Sequence, residues 1–308
     1  MSHRQDERYP TKKLPVTVAV MVLNEEKNLP ELLRTVMPWA ADVVVVDSFS
    51  TDATMDIAKR MGARVYQHQW EYYAAQNNWT LDNVPISTPW VLWCDADDRV
   101  TPALASEIAR CVCDDKSPLV GYYVNRRVVF LDRPIMHNGW YPNRTLRLFK
   151  YGCGRFEDRK VHERFVPNGP VGYLKNDLIH DDLRSLHEFV ERHNRYSTTE
   201  AEYLFSRSLG VTPGGLEASL TGDWAQRRRF VKERIWQRLP ARPLLRFIWM
   251  YIIQRGFLDG MPGFIFAVMI SYHEFVINAK LWELRHRKDV PASSLNYASH
   301  EREPNKPL

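Results

Sequence analysis

The stretch WVLWCDADDRV, residues 90–100, carries an apolar run straight into three carboxylates, Asp95, Asp97 and Asp98. One acid after a strand is often a turn former or a helix cap, and Asp98 or Arg99 need be no more than that. Three acids in four residues on a hydrophobic strand ask instead for a positive partner. Magnesium and manganese take oxygen ligands, typically one or two carboxylates together with substrate phosphates. Two carboxylates at i and i+2 in an extended loop can serve one such cation, or a cation and a ribose hydroxyl.

The elements that must hold these acids follow from hydrophobic periodicity. VTVAVMV (16–22), DVVVVDS (42–48), ARVYQ (63–67) and WVLWCD (90–95) are strand-like. Between them, Leu29, Leu32, Leu33 and Val36 recur at helical spacing, and STDATMDIAKRMG predicts a helix with Ser or Thr as its cap and Gly62 as its stop. A third helix is expected from about Glu71 to Leu81, and a fourth begins at TPALASEIARCVC, with Thr101 as cap and Pro102 in the first helical position. Alternating strands and helices predict a mostly parallel α/β sheet flanked by helices, and such sheets bind ligands beyond the carboxyl ends of their strands. Asn24, Asp47 and Asp95 each follow a strand and so share that rim. From Gly121 the texture changes: GYYVNRRVVF and RTLRLFKYG read as strands, LDRP as a turn, DLIH as a short strand, and helices resume near Leu183.

Several classes are disfavoured. No G-x-G-x-x-G follows the first strand and no G-x-x-x-x-G-K-[ST] occurs, which argues against a dinucleotide dehydrogenase and a P-loop NTPase. The rim offers acids and amides, which suit a base and ribose, with the diphosphate left to a metal. Cys94, Cys111, Cys113 and Cys153 show neither a disulfide framework nor metal-finger spacing. The polar N-terminus lacks the apolar core of a signal peptide, so a cytosolic protein is expected. The net charge of +5 hides an asymmetry: Arg227 to Arg255 holds nine Lys or Arg against one acid, Glu233. A segment this basic points to an anionic partner.

In order and spacing, VAVMVLNEEKNLPELLRTV, VVVVDSFSTDATMDIAKRMGARV and WVLWCDADDRVTPAL resemble the blocks of family-2 inverting glycosyltransferases, within them the bacterial lipopolysaccharide-core β-1,4-glucosyltransferase subgroup. QHQWEYYAAQNNWTL, GWYPNRTLRLF, KVHERF, LIH and YIIQRGFLDGMPGF continue the match, so it covers roughly residues 14–285. The resemblance implies a GT-A (Rossmann-like) fold and a nucleotide-diphosphate sugar donor, a UDP-sugar being favoured, with Mn²⁺ or Mg²⁺ bridging the phosphates. Asp47 would contact the nucleobase, and Asn24 and Glu25 would shape the nucleotide pocket, with Asn78 in the same site. Asp95 would approach the ribose or metal, and Asp97 would be the principal metal ligand. The sequence departs from the pattern at Phe49 and Ala53, where glycine is usual, and at Asn77, where a basic residue is usual.

Inverting transfer needs a base for the acceptor hydroxyl, and GRFEDRKVHERF supplies Glu163 as first candidate and Asp158 as second. His162 is as well explained as a buried histidine that orients the loop. By analogy with other GT-A enzymes His180 could complete the metal site, against the plainer reading of a structural histidine. If Leu146 and Leu148 face inward, Arg147 points the other way, to phosphate, acceptor or solvent. Trp140 and Tyr141 suit either a sugar face or the core.

The longest strictly apolar stretch of the C-terminal part, about Phe264 to Ile270, is too short to span a bilayer, and Asp259, Pro262 and His273 interrupt it. Amphipathic helices on the inner, cytoplasmic membrane face are expected, gripping anionic lipid, with a packed subdomain or an oligomer interface as the alternative. No nucleic-acid partner is expected, because no recognised module surrounds the arginines. The organisation read from sequence is a flexible 1–13, a GT-A domain over 14–222, a basic amphipathic helical extension over 223–285 and a disordered 286–308. The expected activity is a metal-dependent inverting glycosyltransferase acting on a glycan or lipid-linked acceptor. The rivals are a polyprenyl-phosphate sugar transferase and an inactive glycan-binding scaffold.

Overall fold

The computed structural model describes residues 8–114, 116–157, 164–209 and 241–286. Asp158, His162 and Glu163, the boundary at 222/223 and the tail beyond 286 lie outside the described residues. The chain divides into two compact units. Among described residues the first holds 8–136, 140–157 and 164–184, and the second holds 137–139, 185–209 and 241–286.

The first unit is built on β1 (Leu14–Val22), β2 (Ala40–Asp47), β3 (Arg64–Gln67) and β4 (Trp90–Cys94), all parallel. The near-continuous apolar runs of β1, β2 and β4 have a direct cause: both faces are covered. Val16, Val18, Val20 and Val22 pack on one face with α1 (Leu29–Val36), whereas Ala19, Val91 and Trp93 join Phe149, Phe156 and Phe165 on the other. Leu29, Leu32, Leu33 and Val36 are all fully buried, so the predicted helical stripe is the contact stripe. The helices α2 (Thr54–Arg60), α3 (Tyr73–Asn83) and α4 (Pro102–Val112) complete the layers.

Thr101 caps α4 as expected, accepting from the Leu104 amide at 3.1 Å. The cap of α2 differs from expectation. Its N-cap residue is Ala53, which has no side-chain acceptor, and the Asp52 carboxylate takes the Thr54 amide at 3.0 Å instead. A carboxylate one residue upstream, beside the positive end of the helix, does the work assigned to a hydroxyl.

Beyond β4 the sheet turns mixed. Its order is β3-β2-β1-β4-β8-β6-β11-β5, with β5 at Asp98–Val100, β6 at Gly121–Phe130, β8 at Arg144–Lys150 and β11 at Val171–Asp181. β7 (Arg133–Pro134) pairs with β6, and β9 (Gly154–Phe156) pairs with β10 (Phe165–Pro167) apart from this sheet. β8 is antiparallel to β4 and β6, and β11 is parallel to β6. The short strand expected at DLIH is in fact the end of the 11-residue β11. Its first half carries Lys175 and Asn176, which break the apolar pattern because the Glu107 carboxylate receives both of their amides at a register shift.

In the second unit, the helix Leu186–Ser208 packs on the helix Gly260–His286. Ala201, Leu204, Ile277 and Leu281 form the seam, and Lys280 binds Asn194, Ser197 and Thr198. Residues 137–139 are clasped by the turn before the long helix. Buried Asp259 accepts from the His137 amide (2.9 Å), His137 Nδ1 (2.7 Å) and Asn138 Nδ2 (3.1 Å). Gly256 is obligatory there, since a Cβ would come within 2.2 Å of Asn138 Oδ1.

The span Gly256–His286 is 31 residues with a window of mean hydropathy 1.4, long and apolar enough to cross a membrane by length and composition alone. The strict apolar run understated this. Pro262 sits in the first turn, where it costs little, and burial lowers the pKa of His273, which favours its neutral form.

Candidate active site

The turn after β4 brings the acids together. The Asp98 amide donates to the Asp95 carbonyl at 3.0 Å, the Asp98 carboxylate takes the Asp95 amide at 2.9 Å, and the Asp181 amide binds the Asp97 carbonyl at 2.8 Å. β11 is antiparallel to β5, with His180 directly opposite Asp98. Asp95, Asp97, Asp98 and His180 thus offer ligand atoms that all lie within 4.8 Å of one another. Three carboxylates and an imidazole are a fitting donor set for Mn²⁺ or Mg²⁺.

Arg147 reaches this turn through a β-bulge. The β6–β8 register slips between Tyr122 and Tyr123, which pair with Leu148 and Leu146 and leave Arg147 as the extra residue. Leu146 and Leu148 therefore pack on opposite faces, contrary to the simple alternation expected, and the bulge re-aims the arginine. Its guanidinium grips Asp95 by two bonds, of 3.0 and 2.9 Å.

Arg126, which the sequence reading missed, sits on the other side. Its Nη2 lies 2.7 Å from Asp95 Oδ2, 3.0 Å from Asp98 Oδ1 and 2.6 Å from His180 Nδ1. A signal was there to find. In GYYVNRRVVF, Arg126 shares the strand face of Tyr122 and Val124, both buried, and an arginine on a buried face needs anionic partners. Arg184 was missed too; it binds Asp182 and Glu25 and lies 3.8 Å from Asp97.

These charges set the protonation states. Burial works against ionisation of Asp95, but Arg147 and Arg126 outweigh it and hold the carboxyl at about 2. Burial likewise opposes the charge on Asp97, yet His180 and Arg126 hold it well below the carboxylate range. For His180, burial lowers the pKa and Asp97 more than restores it, to about 9. Asp97 has the looser contacts of the acids, with His180 Nδ1 at 3.2 Å and Arg184 at 3.8 Å.

The remaining residues of the rim tie loops together. Asn24 has φ 55° and accepts the Thr51 amide at 2.8 Å, which joins the loop after β1 to the loop after β2. Asp47 is fully buried and accepts the Ser50 amide and Gln67 Nε2. Phe49 has φ 65°, the left-handed region where a bulky side chain is strained; that is the physical reason a glycine suits the position. Asn78 exchanges two bonds with the Phe156 backbone, so its amide anchors α3 to the strand Gly154–Phe156.

Glu25 accepts from Asn28 Nδ2 at 2.9 Å and Arg184 Nη1 at 3.1 Å. Burial raises its pKa to about 7, Arg184 only partly offsetting this and Asp97 adding to it. A carboxyl whose folded pKa exceeds its unfolded value favours the fold most below the unfolded pKa, and that stability is lost as pH rises towards 7. Glu25→Gln is therefore expected to gain on wild type between pH 5 and 8, by up to about 3 kcal/mol. Thermal midpoints of both proteins across that window check it; a constant difference refutes it.

Residues 17–168 match the protein family Glycosyl transferase family 2. That span holds most of β1, all of β2 to β4, the acidic turn and Arg126 and Arg147, on a mostly parallel sheet flanked by helices, and the protein is a glycosyltransferase. Along most of its length it is similar to uncharacterized glycosyltransferases of Rickettsia. The protein of Rickettsia typhi is 24% identical over 92% of both chains, and that of Rickettsia bellii 25% identical over 89% of this chain and 87% of that one. Among solved structures, glucosyl-3-phosphoglycerate synthase from Mycobacterium tuberculosis, crystallised with Mn²⁺, UDP and glucosyl-3-phosphoglycerate, is 20% identical over 37% of this chain and 44% of that one, with a TM-score of 0.32.

Proposed function

We propose that this glycosyltransferase moves a sugar, with inversion, from a nucleotide-diphosphate donor to a glycan or lipid-linked acceptor of the cell envelope, of the lipopolysaccharide-core kind. The observation that carries the reading is the cluster of Asp95, Asp97, Asp98 and His180 at the carboxyl end of β4, with Arg126 and Arg147 beside it. Carboxylates suit a divalent cation, and guanidiniums suit a diphosphate. Asp97 would be the principal ligand, with His180 and Asp95 beside it. A bound Mn²⁺ or Mg²⁺ would stabilise the charge that develops on the leaving diphosphate. Asn24, Glu25 and Asp47 would form the nucleoside side of the pocket, and Asn78 would hold its α3 wall. The base that takes the acceptor proton is Glu163, with Asp158 as second candidate. UDP is the favoured nucleotide.

Calorimetric titration of UDP, GDP, ADP and CDP, with and without Mn²⁺, on wild type and Asp97→Asn tests this. Metal-dependent binding of one nucleotide, lost in the variant, is expected. Binding of none, with the protein folded, leaves the inactive scaffold as the reading.

A membrane-face location is favoured by one further observation. The second unit exposes Ile252, Ile253, Phe257, Leu258 and Met261 within ten residues, around an exposed Arg255. Aromatic and aliphatic side chains beside a cation suit the interface of an anionic bilayer. Co-sedimentation with phosphatidylglycerol vesicles is expected, weakened about tenfold or more by Ile253→Ser with Leu258→Ser. Wild type left wholly in the supernatant refutes the location.

A further inference from the structure

The donor atoms that suit a divalent cation already surround a positive charge. Arg126 Nη2 touches three of the four clustered groups: Asp95 at 2.7 Å, Asp98 at 3.0 Å and His180 at 2.6 Å. Arg147 is bound to Asp95, and Arg184 stands 3.8 Å from Asp97. Arg126 and Arg147 thus face the carboxylates directly, with Arg184, itself paired with Asp182 and Glu25, at their edge, and an arginine cannot yield its charge by losing a proton. A dication entering this cluster would meet a neutralised site and a guanidinium in contact with most of its ligands.

A second observation concerns the other side of the same side chain. Among the described residues Arg126 Nε is buried with no hydrogen-bond partner, although Nη2 donates to both Asp95 and Asp98. A buried donor left unpaired is costly, and each such group calls for an explanation. The pose that holds the carboxylates together therefore leaves part of the guanidinium unsatisfied. An anion with several oxygens, such as a diphosphate, would satisfy that part.

We propose that Arg126 is the built-in cation of the donor site: it neutralises the acidic cluster when no metal is bound, must leave Asp95 and His180 for a divalent cation to take them, and then turns to the donor diphosphate. Arg126 is in this sense a positioning residue that sets metal affinity and couples it to nucleotide binding. The inference rests on the cluster being the cation site of the proposed function. A purely structural ion network makes the opposite prediction, since removing its centre would loosen the ligands and weaken any metal.

The test is Mn²⁺ binding to the full chain, followed by the electron paramagnetic resonance signal of free Mn²⁺, without and with UDP. Without nucleotide, Arg126→Gln is expected to bind Mn²⁺ about tenfold or more tightly than wild type, because one competing charge is gone. UDP is expected to tighten Mn²⁺ binding more in wild type than in the variant. Arg126→Lys keeps the charge but cannot bridge three groups at once, so it should lie between the two, about threefold tighter than wild type. It decides the matter if the glutamine variant does not fold. Equal or weaker binding by the variants, with wild type binding, overturns the role of Arg126 alone. No Mn²⁺ binding by any of the proteins, even with UDP, overturns the metal part of the proposed function and this inference with it.

Discussion

Asp97→Asn is expected to reduce sugar transfer at least about a hundred- to a thousandfold, the cost of losing a group that stabilises charge on a leaving group. The asparagine keeps the shape of the side chain and removes its charge. Among the acids, Asp97 has the loosest protein contacts, so its loss falls on what the site binds rather than on a strong internal bond. It does not leave the fold untouched. A carboxyl held well below its ordinary pKa contributes stability above that ordinary value, and this is lost as pH falls through the folded pKa. The variant should therefore melt below wild type at neutral pH, and activity must be measured well under its midpoint. Transfer within tenfold of wild type, in the presence of Mn²⁺, would remove Asp97 from the donor site.

Asp98→Ala should show the reverse balance, with the larger effect on the fold. Asp98 is fully buried and receives the Asp95 amide and Arg126 Nη2, with His180 at 3.2 Å. Truncation removes one of the two carboxylates on a largely buried guanidinium and leaves the Asp95 amide without its acceptor. Breaking a buried ion pair by removing one partner costs about 3–5 kcal/mol, which corresponds to roughly 10 °C in a domain of this size. Asp98→Asn, which keeps an acceptor for the Asp95 amide, should recover part of that. Thermal unfolding of the three proteins decides it, and an unchanged midpoint in the alanine variant would show that Asp98 does not anchor the turn. Asp97 and Asp98 are adjacent and chemically identical, so only their partners separate a group that serves the ligand from one that serves the fold.

Much of the architecture was legible because its signals are local. The valine-rich runs of β1 and β2 must be buried on both faces, the Leu29–Val36 stripe has helical period, and Thr101-Pro102 is a helix start whatever surrounds it. The acidic end of β4 was legible for the same reason, since charge on an apolar strand is a local contradiction. Where the reading failed, the cause was a contact made elsewhere in the chain. The phase of β8 changes at a bulge against β6, and Lys175 and Asn176 of β11 stand at a register shift where Glu107 binds their amides.

By itself the sequence determined the kind of layers, the rim on which Asn24, Asp47 and Asp95 lie, and the presence of an acidic turn with a chemistry of oxygen ligands. Tertiary structure alone decided which charges meet there. His180 reaches Asp98 because β11 returns antiparallel to β5, and Arg126 reaches both because β6 lies on the other side of β11. Strand register across so long a stretch of chain is set by the summed packing of the sheet, and no short stretch of residues encodes it. The carboxylates were written in one segment; the cations that balance them arrive from three others.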